Sequence, residues 1–195
     1  MQRTIGFWKN HASCSGSRGG QDPILDDTLA DSPLRETAVS TVPGFWEGDV
    51  FVDQCYEAVS LLNKSVISNN GKGAKKASDP AFNAAAQHVA FQLNVLIPST
   101  VTCTAANNAA DLVQDYLDTV NFLGTNWNFN WNTPTNSQIG ANLNFLSTLL
   151  DHYNNDTLDP GYSAPGGVIN CATNVQARMP YPTQLPTSNN HDSLP

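Results

Sequence analysis

The residues best suited to chemistry open the chain. Lys9, Asn10 and His11 follow the aromatic pair Phe7-Trp8. A histidine titrates near neutral pH, and a lysine beside it can displace that titration. A site built on His11 needs Asn94, Asp151, Tyr153 and Asn154 brought to it by the fold, with His11 and Asp151 then forming the centre of a hydrolase. The same polar set has a plainer use: tying the N-terminal loop to helix ends by hydrogen bonds that satisfy orphaned backbone groups. The plainer use is the one expected.

Metal chemistry is restricted by ligand type. His11, His88, His152 and His191 show no H-E-x-x-H spacing, which argues against zinc catalysis. Hard oxygen donors do gather: Asp151, Asn154, Asn155, Asp156 and Asp159 precede Pro160-Gly161 and form a calcium-type set, although the glycine and terminal glutamate of an EF-hand loop are missing. A solvated acidic helix end is the simpler reading. Asp22, Asp26 and Asp27 form a second, weaker group of the same kind. There is no G-x-S-x-G elbow. The lysine-rich stretch 70–76 lacks phosphate-loop spacing and is expected as an exposed loop between helices.

Trp127, Phe129 and Trp131 alternate with Asn126, Asn128 and Asn130, so an extended backbone puts the three rings on one face. Such a face can stack on sugar rings, or it can bury against the core or a neighbouring subunit. Burial is favoured over the carbohydrate platform. The cysteines Cys14, Cys55, Cys103 and Cys171 are scattered, with no C-x-x-C pair, and are expected as two disulfides formed in an oxidising compartment. Three pairings are open, with Cys14–Cys55 plus Cys103–Cys171 preferred.

Composition narrows the setting in which these groups act. The 195 residues carry 9 Lys plus Arg against 17 Asp plus Glu, a net charge of −8 with only 13% charged residues. Too few cations are present to neutralise a phosphate backbone, which argues against nucleic-acid partners. No apolar run reaches the roughly 20 residues of a membrane span. The polar surface rests instead on amides and hydroxyls, with 22 Asn in the chain. The N-terminus has neither an apolar h-region nor a small-residue cleavage site. The expectation is either a processed secreted protein or an excerpt of a longer surface protein.

The elements that must position these groups are helical. Periodic apolar residues predict a helix from about Asp49 to Ser68. A second helix starts at Ser78-Asp79-Pro80 and ends before Pro98, with Phe82, Ala85, Ala86, Val89, Leu93 and Leu96 as its stripe. A third follows Thr104 and stops at Gly124. A fourth starts near Ser137 and carries Ile139, Leu143, Leu146, Leu149, Leu150 and Tyr153. A short helix around Pro23 to Ala30 is also expected. The fold class is therefore all-α: one domain of about four main helices with long irregular loops. Residues 1–47 form a loop-rich segment packed on a helical core of residues 48–156. Residues 157–195 form an irregular segment ending in a proline-rich tail at Pro180–Pro186.

Three short islands carry a family resemblance. Thr4-Ile5-Gly6-Phe7-Trp8-Lys9-Asn10-His11 resembles the G-Y-W-K-N-H opening of a group of secreted, mostly bacterial, surface-type proteins. Gln92-Leu93-Asn94 and Leu150-Asp151-His152-Tyr153-Asn154-Asn155 are similar to two helix segments of that group, and Cys171 to its late cysteine. Phe7 replaces the usual tyrosine, and Asp156 stands where glycine commonly follows the two asparagines. The resemblance implies an exported helical domain; no catalytic activity is established for the group, so it says little about mechanism. The resulting expectation is a non-enzymatic extracellular module, structural or adhesive, that partners copies of itself or other surface proteins. A glycan-binding module on Trp127, Phe129 and Trp131 is the alternative, and a hydrolase on His11 and Asp151 the second.

Overall fold

The computed structural model describes residues 2–15, 23–30, 45–48, 50–69, 72–97, 103–125 and 129–183. Among them are six α-helices: α1 (Ile5–Asn10), α2 (Ile24–Ala30), α3 (Cys55–Leu62), α4 (Pro80–Val95), α5 (Thr104–Thr119) and α6 (Pro134–Asn154). Two antiparallel hairpins accompany them, β1 (Phe45–Glu47) with β2 (Val50–Val52), and β3 (Tyr162–Ala164) with β4 (Gly167–Ile169). The chain is mainly helical, as expected, with two small hairpins added.

Helix starts follow local chemistry. The Asp79 carboxylate accepts the Ala81 and Phe82 amides at 2.9 and 3.3 Å, and Pro80 supplies a preset first turn. Thr133 caps α6 in the same way, accepting the Asn136 amide at 3.3 Å ahead of Pro134. This cap starts α6 three residues before Ser137, the start expected from the apolar stripe. Cys103 precedes α5 and ties its start to Cys171.

Twelve of the sixteen residues of α4 are buried, and the helix packs against α1, α3, α5 and α6. A helix buried nearly all round has to be apolar or small all round. Alanine at positions 81, 84, 85, 86 and 90 meets that need and lets neighbours approach closely. The stripe of α6 faces it, with Leu143, Leu146, Leu149 and Leu150 fully buried. Each such leucine contributes about 1.5–3 kcal/mol relative to exposure. One cluster of buried apolar side chains extends from Trp8 to Val175, so the loop-rich first segment and the C-terminal segment share the core of the helices.

Three further helix boundaries differ from the periodicity. The helix expected over Asp49–Ser68 shrinks to α3, because Val50–Val52 pairs with Phe45–Glu47 in the register Phe45↔Val52, Trp46↔Phe51, Glu47↔Val50. At its far end Lys64 takes a left-handed φ of 52°, and Ser65 bridges to Lys75. The third helix stops at Thr119 rather than Gly124, where Asn121 (φ 51°) turns the chain. The first segment, expected without regular structure beyond Pro23–Ala30, also holds α1, started by the Thr4 hydroxyl accepting the Phe7 amide at 3.1 Å. Both disulfides adopt the preferred pairing, Cys14–Cys55 and Cys103–Cys171. Among the described residues no helix is long and apolar enough to cross a membrane.

Candidate functional site

Two of the three sequence islands meet in one place, and Arg3, just ahead of the third, joins them. Asn94, near the end of α4, accepts the Arg3 amide on Oδ1 at 2.8 Å and donates from Nδ2 to the Arg3 carbonyl at 2.9 Å. The same Nδ2 donates to Asn154 Oδ1 at 2.9 Å. Asn154, near the end of α6, donates in turn to the Gln87 carbonyl and to Gln87 Oε1, both at 3.0 Å. Gln87 Nε2 closes the chain of bonds on Asp151 Oδ1 at 2.6 Å. Asn94 and Asn154 are fully buried, and Gln87 is nearly so. Tyr153 lies beside them; burial pushes its hydroxyl up, and a hydrogen bond with Gln2 opposes that shift.

His11 and Lys9 do not join this network. His11 Nδ1 faces the Phe7 carbonyl at 2.9 Å, the distance of a donated hydrogen bond, and its ring stacks on Phe7 with centroids 3.9 Å apart. The Arg3 guanidinium also stacks on Phe7, 4.3 Å from its centroid. Lys9 Nζ donates to Asn63 Oδ1 at 3.1 Å, and Asn10 is exposed at the end of α1. The plainer use, a tie from the N-terminal segment to the helix ends, is what the Asn94 bonds make, but Arg3 makes it in place of His11. No hydrogen bond among the described residues links His11 to Asn94, Asp151, Tyr153 or Asn154. It is the Arg3 backbone that reaches the helix ends, while α1 points its histidine along its own axis. The hydrolase centre needed His11 beside Asp151, and these bonds draw the two side chains to different partners.

The calcium-type set also divides. Asn154 turns inward to Asn94 and Gln87, whereas Asp151, Asn155, Asp156 and Asp159 are exposed. Asp151 Oδ1 already accepts from Gln87 and from Asn155 Nδ2, the latter at 3.2 Å. Among the described residues no three His, Cys, Asp or Glu side chains are gathered so as to hold a metal ion. Of the second acidic group, Asp26 accepts from the Ser13 amide at 2.9 Å and the Ser13 hydroxyl at 2.6 Å, fastening the turn that bears Cys14, while Asp27 is exposed. Asp22 and His191 lie outside the described residues.

Trp127 also lies outside the described residues, so the three-ring platform is not shown as a unit. Phe129 and Trp131 are half-buried against the core, tilted together with centroids 4.6 Å apart. Trp131 Nε1 donates to Asp79 Oδ2 at 3.1 Å, so the residue that caps α4 also holds the indole. A Cβ on Gly140 would come within 3.1 Å of the Trp131 ring, so the indole packs closely on the α6 backbone.

One polar pair escaped the reading of the sequence. Glu47 Oε2 lies 2.8 Å from His88 Nδ1, both side chains buried, and Gln92 Nε2 faces His88 Nε2 at 3.0 Å. If that amide nitrogen donates, Nε2 accepts and Nδ1 carries the proton toward Glu47. Burial pushes the Glu47 carboxyl up, the His88 contact pulls it down, and Asp118 adds a further upward push. Glu47 and His88 are both sealed from solvent and fasten β1 to α4, while Glu47 Oε1 is buried without a hydrogen-bond partner. The signal for the pair was the unbroken apolar surround of Gln87-His88 in α4, where polar side chains have to find partners inside.

No family model matches this chain, and no curated protein or solved structure matches it either.

Proposed function

We propose that this chain is a non-enzymatic extracellular structural or adhesive module, a subunit of a surface or filamentous assembly. The observation that carries the reading is the use made of its polar side chains. His11, Asn94, Asp151, Asn154, Glu47 and His88 each bond to another side chain or to backbone, and the bonds of Asn94, Asn154, Asp151 and the Glu47–His88 pair hold separate segments together. Such a fold is built for persistence. Two disulfides closing spans of 41 and 68 residues fit an oxidising environment outside the cell. The scarcity of charge weakens repulsion between copies.

The test is the mass of the purified full chain in solution across a wide concentration range, with negative-stain microscopy of the same material. Higher-order particles or filaments are the expected result. A strict monomer at the highest concentrations overturns the reading. The glycan module is the weaker proposal, since the half-buried Phe129 and Trp131 are packed against this chain's own core.

A further inference from the structure

All five lysines of the chain, Lys9, Lys64, Lys72, Lys75 and Lys76, fall on α1 or on the connection between α3 and α4. The fold gathers them further. Lys76 N donates to the Lys64 carbonyl at 2.8 Å and Val66 N to the Ala74 carbonyl at 3.0 Å, folding the connection back on itself. Gly73 permits the approach, since a Cβ there would overlap the Val66 carbonyl. Asn63 then draws in two ammonium groups, Lys9 Nζ on its side-chain oxygen at 3.1 Å and Lys75 Nζ on its carbonyl at 2.7 Å. Burial lowers the Lys9 pKa, and the charges of Lys75 and Lys64 lower it more. Among the described residues Lys9, Lys64 and Lys75 have no carboxylate at ion-pair distance.

The opposite imbalance lies on α5, which contains no lysine or arginine. Asp111 and Asp115 are exposed one turn apart on its outer face, a spacing at which like charges repel. Burial raises the Asp115 carboxyl, and the charge of Asp111 raises it further. Apart from the lysines the chain has only 9 − 5 = 4 cations, all arginine, against 17 carboxylates. An acidic complement to the lysine face is therefore present on every other copy of this molecule.

We propose that the lysine face formed by Lys9, Lys64 and Lys75 docks onto the Asp111/Asp115 face of α5 in a second copy of this chain. The inference rests on the assembly reading above and names its contact. Joining two different faces makes the interface heterologous, and repetition then yields a closed ring or an open filament. Pairing places each like-charge cluster against its counter-charge.

The experiment is sedimentation equilibrium of the full chain and of three charge variants, each first shown by circular dichroism to melt cooperatively. Lys64→Glu with Lys75→Glu should weaken association by about tenfold or more, as should Asp111→Lys with Asp115→Lys, because each sets like charges face to face. All four substitutions in one chain should restore association. If the wild-type chain assembles and the double variants assemble equally well, the contact is wrong while the assembly reading stands. A wild-type chain that stays monomeric overturns both. If the Lys64/Lys75 variant loses retention on dextran sulfate yet self-associates normally, the face binds an anionic polymer and this proposal falls.

Discussion

Asn94 holds both backbone groups of Arg3, accepting its amide and donating to its carbonyl, with the two bonds at 2.8 and 2.9 Å. The arrangement recurs. Gln114 on α5 accepts the Gly48 amide at 3.2 Å and donates to the Gly48 carbonyl at 3.3 Å. Asn142 on α6 accepts the Tyr181 amide at 3.1 Å and donates to the Tyr181 carbonyl at 3.3 Å. Three helices thus each extend one carboxamide that fastens one residue of the irregular chain: the N-terminus, the β1–β2 turn and the start of the proline-rich tail. A carboxamide suits this task because it carries donor and acceptor together without charge.

Replacing Asn94 or Asn142 by aspartate keeps the shape but turns the donor into an acceptor facing a carbonyl oxygen. Each change should cost about 1–3 kcal/mol at neutral pH, the penalty for a buried group left unsatisfied. Acid should recover part of the loss, because a protonated aspartate donates again. Urea denaturation of N94D and N142D at neutral and acidic pH checks this; equal losses at both would refute the donor argument.

Glu47 predicts a specific pH dependence. Its folded carboxyl is raised above the ordinary value of 4.5, chiefly by burial. Such a group contributes its full stability below its unfolded pKa and loses it as pH rises through the folded value. Wild-type stability should therefore carry a falling component from about pH 4.5 upward. Glu47→Gln removes that component, so the Tm difference, variant minus wild type, should become more positive as pH rises. A constant difference across the range would count against a raised carboxyl.

Each disulfide restrains the unfolded chain. For spans of 41 and 68 residues the loop-entropy relation gives about 4 kcal/mol apiece. Cys103→Ala with Cys171→Ala should show that loss, and so should Cys14→Ala with Cys55→Ala. Thermal melts of both double variants under non-reducing conditions are the measurement. Retention of the wild-type Tm in either would mean that bridge adds nothing.

Gly48 turns the chain between Glu47 and β2 at a φ of +59°, and a Cβ there would lie 2.9 Å from the Phe122 carbonyl oxygen. Gly48→Ala should destabilise by at least the roughly 1–2 kcal/mol of left-handed strain, with the overlap added. Denaturant midpoints with an unchanged m-value would establish it. A neutral effect would place the turn outside the packed core.

Helix chemistry was legible where local signals sufficed. Asp79-Pro80 marked α4 in advance, and the leucine spacing of α6 identified residues that are all buried. The Asp49–Ser68 periodicity misled because apolar residues at helical spacing also serve a strand, and Val50–Val52 found a partner in Phe45–Glu47. The hairpin at Tyr162–Ile169 offered only three residues per strand, too few for a pattern to stand out. For the candidate site, the islands around Asn94 and Asp151 were legible in the sequence, yet the residue that joins them from the N-terminal segment lies just outside the island around His11. Arg3 does so through its backbone, and backbone groups are the same in every residue type.

The sequence alone determined what depends on neighbours along the chain: helix caps, apolar spacing, the excess of acid over base, and four cysteines suited to pairing. Tertiary structure decided what depends on approach in space. It turned the asparagines into fasteners of backbone, sealed Glu47 against His88, and gathered lysines from two segments more than fifty residues apart. A hydrogen bond needs its partners within about 3 Å and correctly directed, and no spacing rule along the chain supplies that condition across α1, α4 and α6.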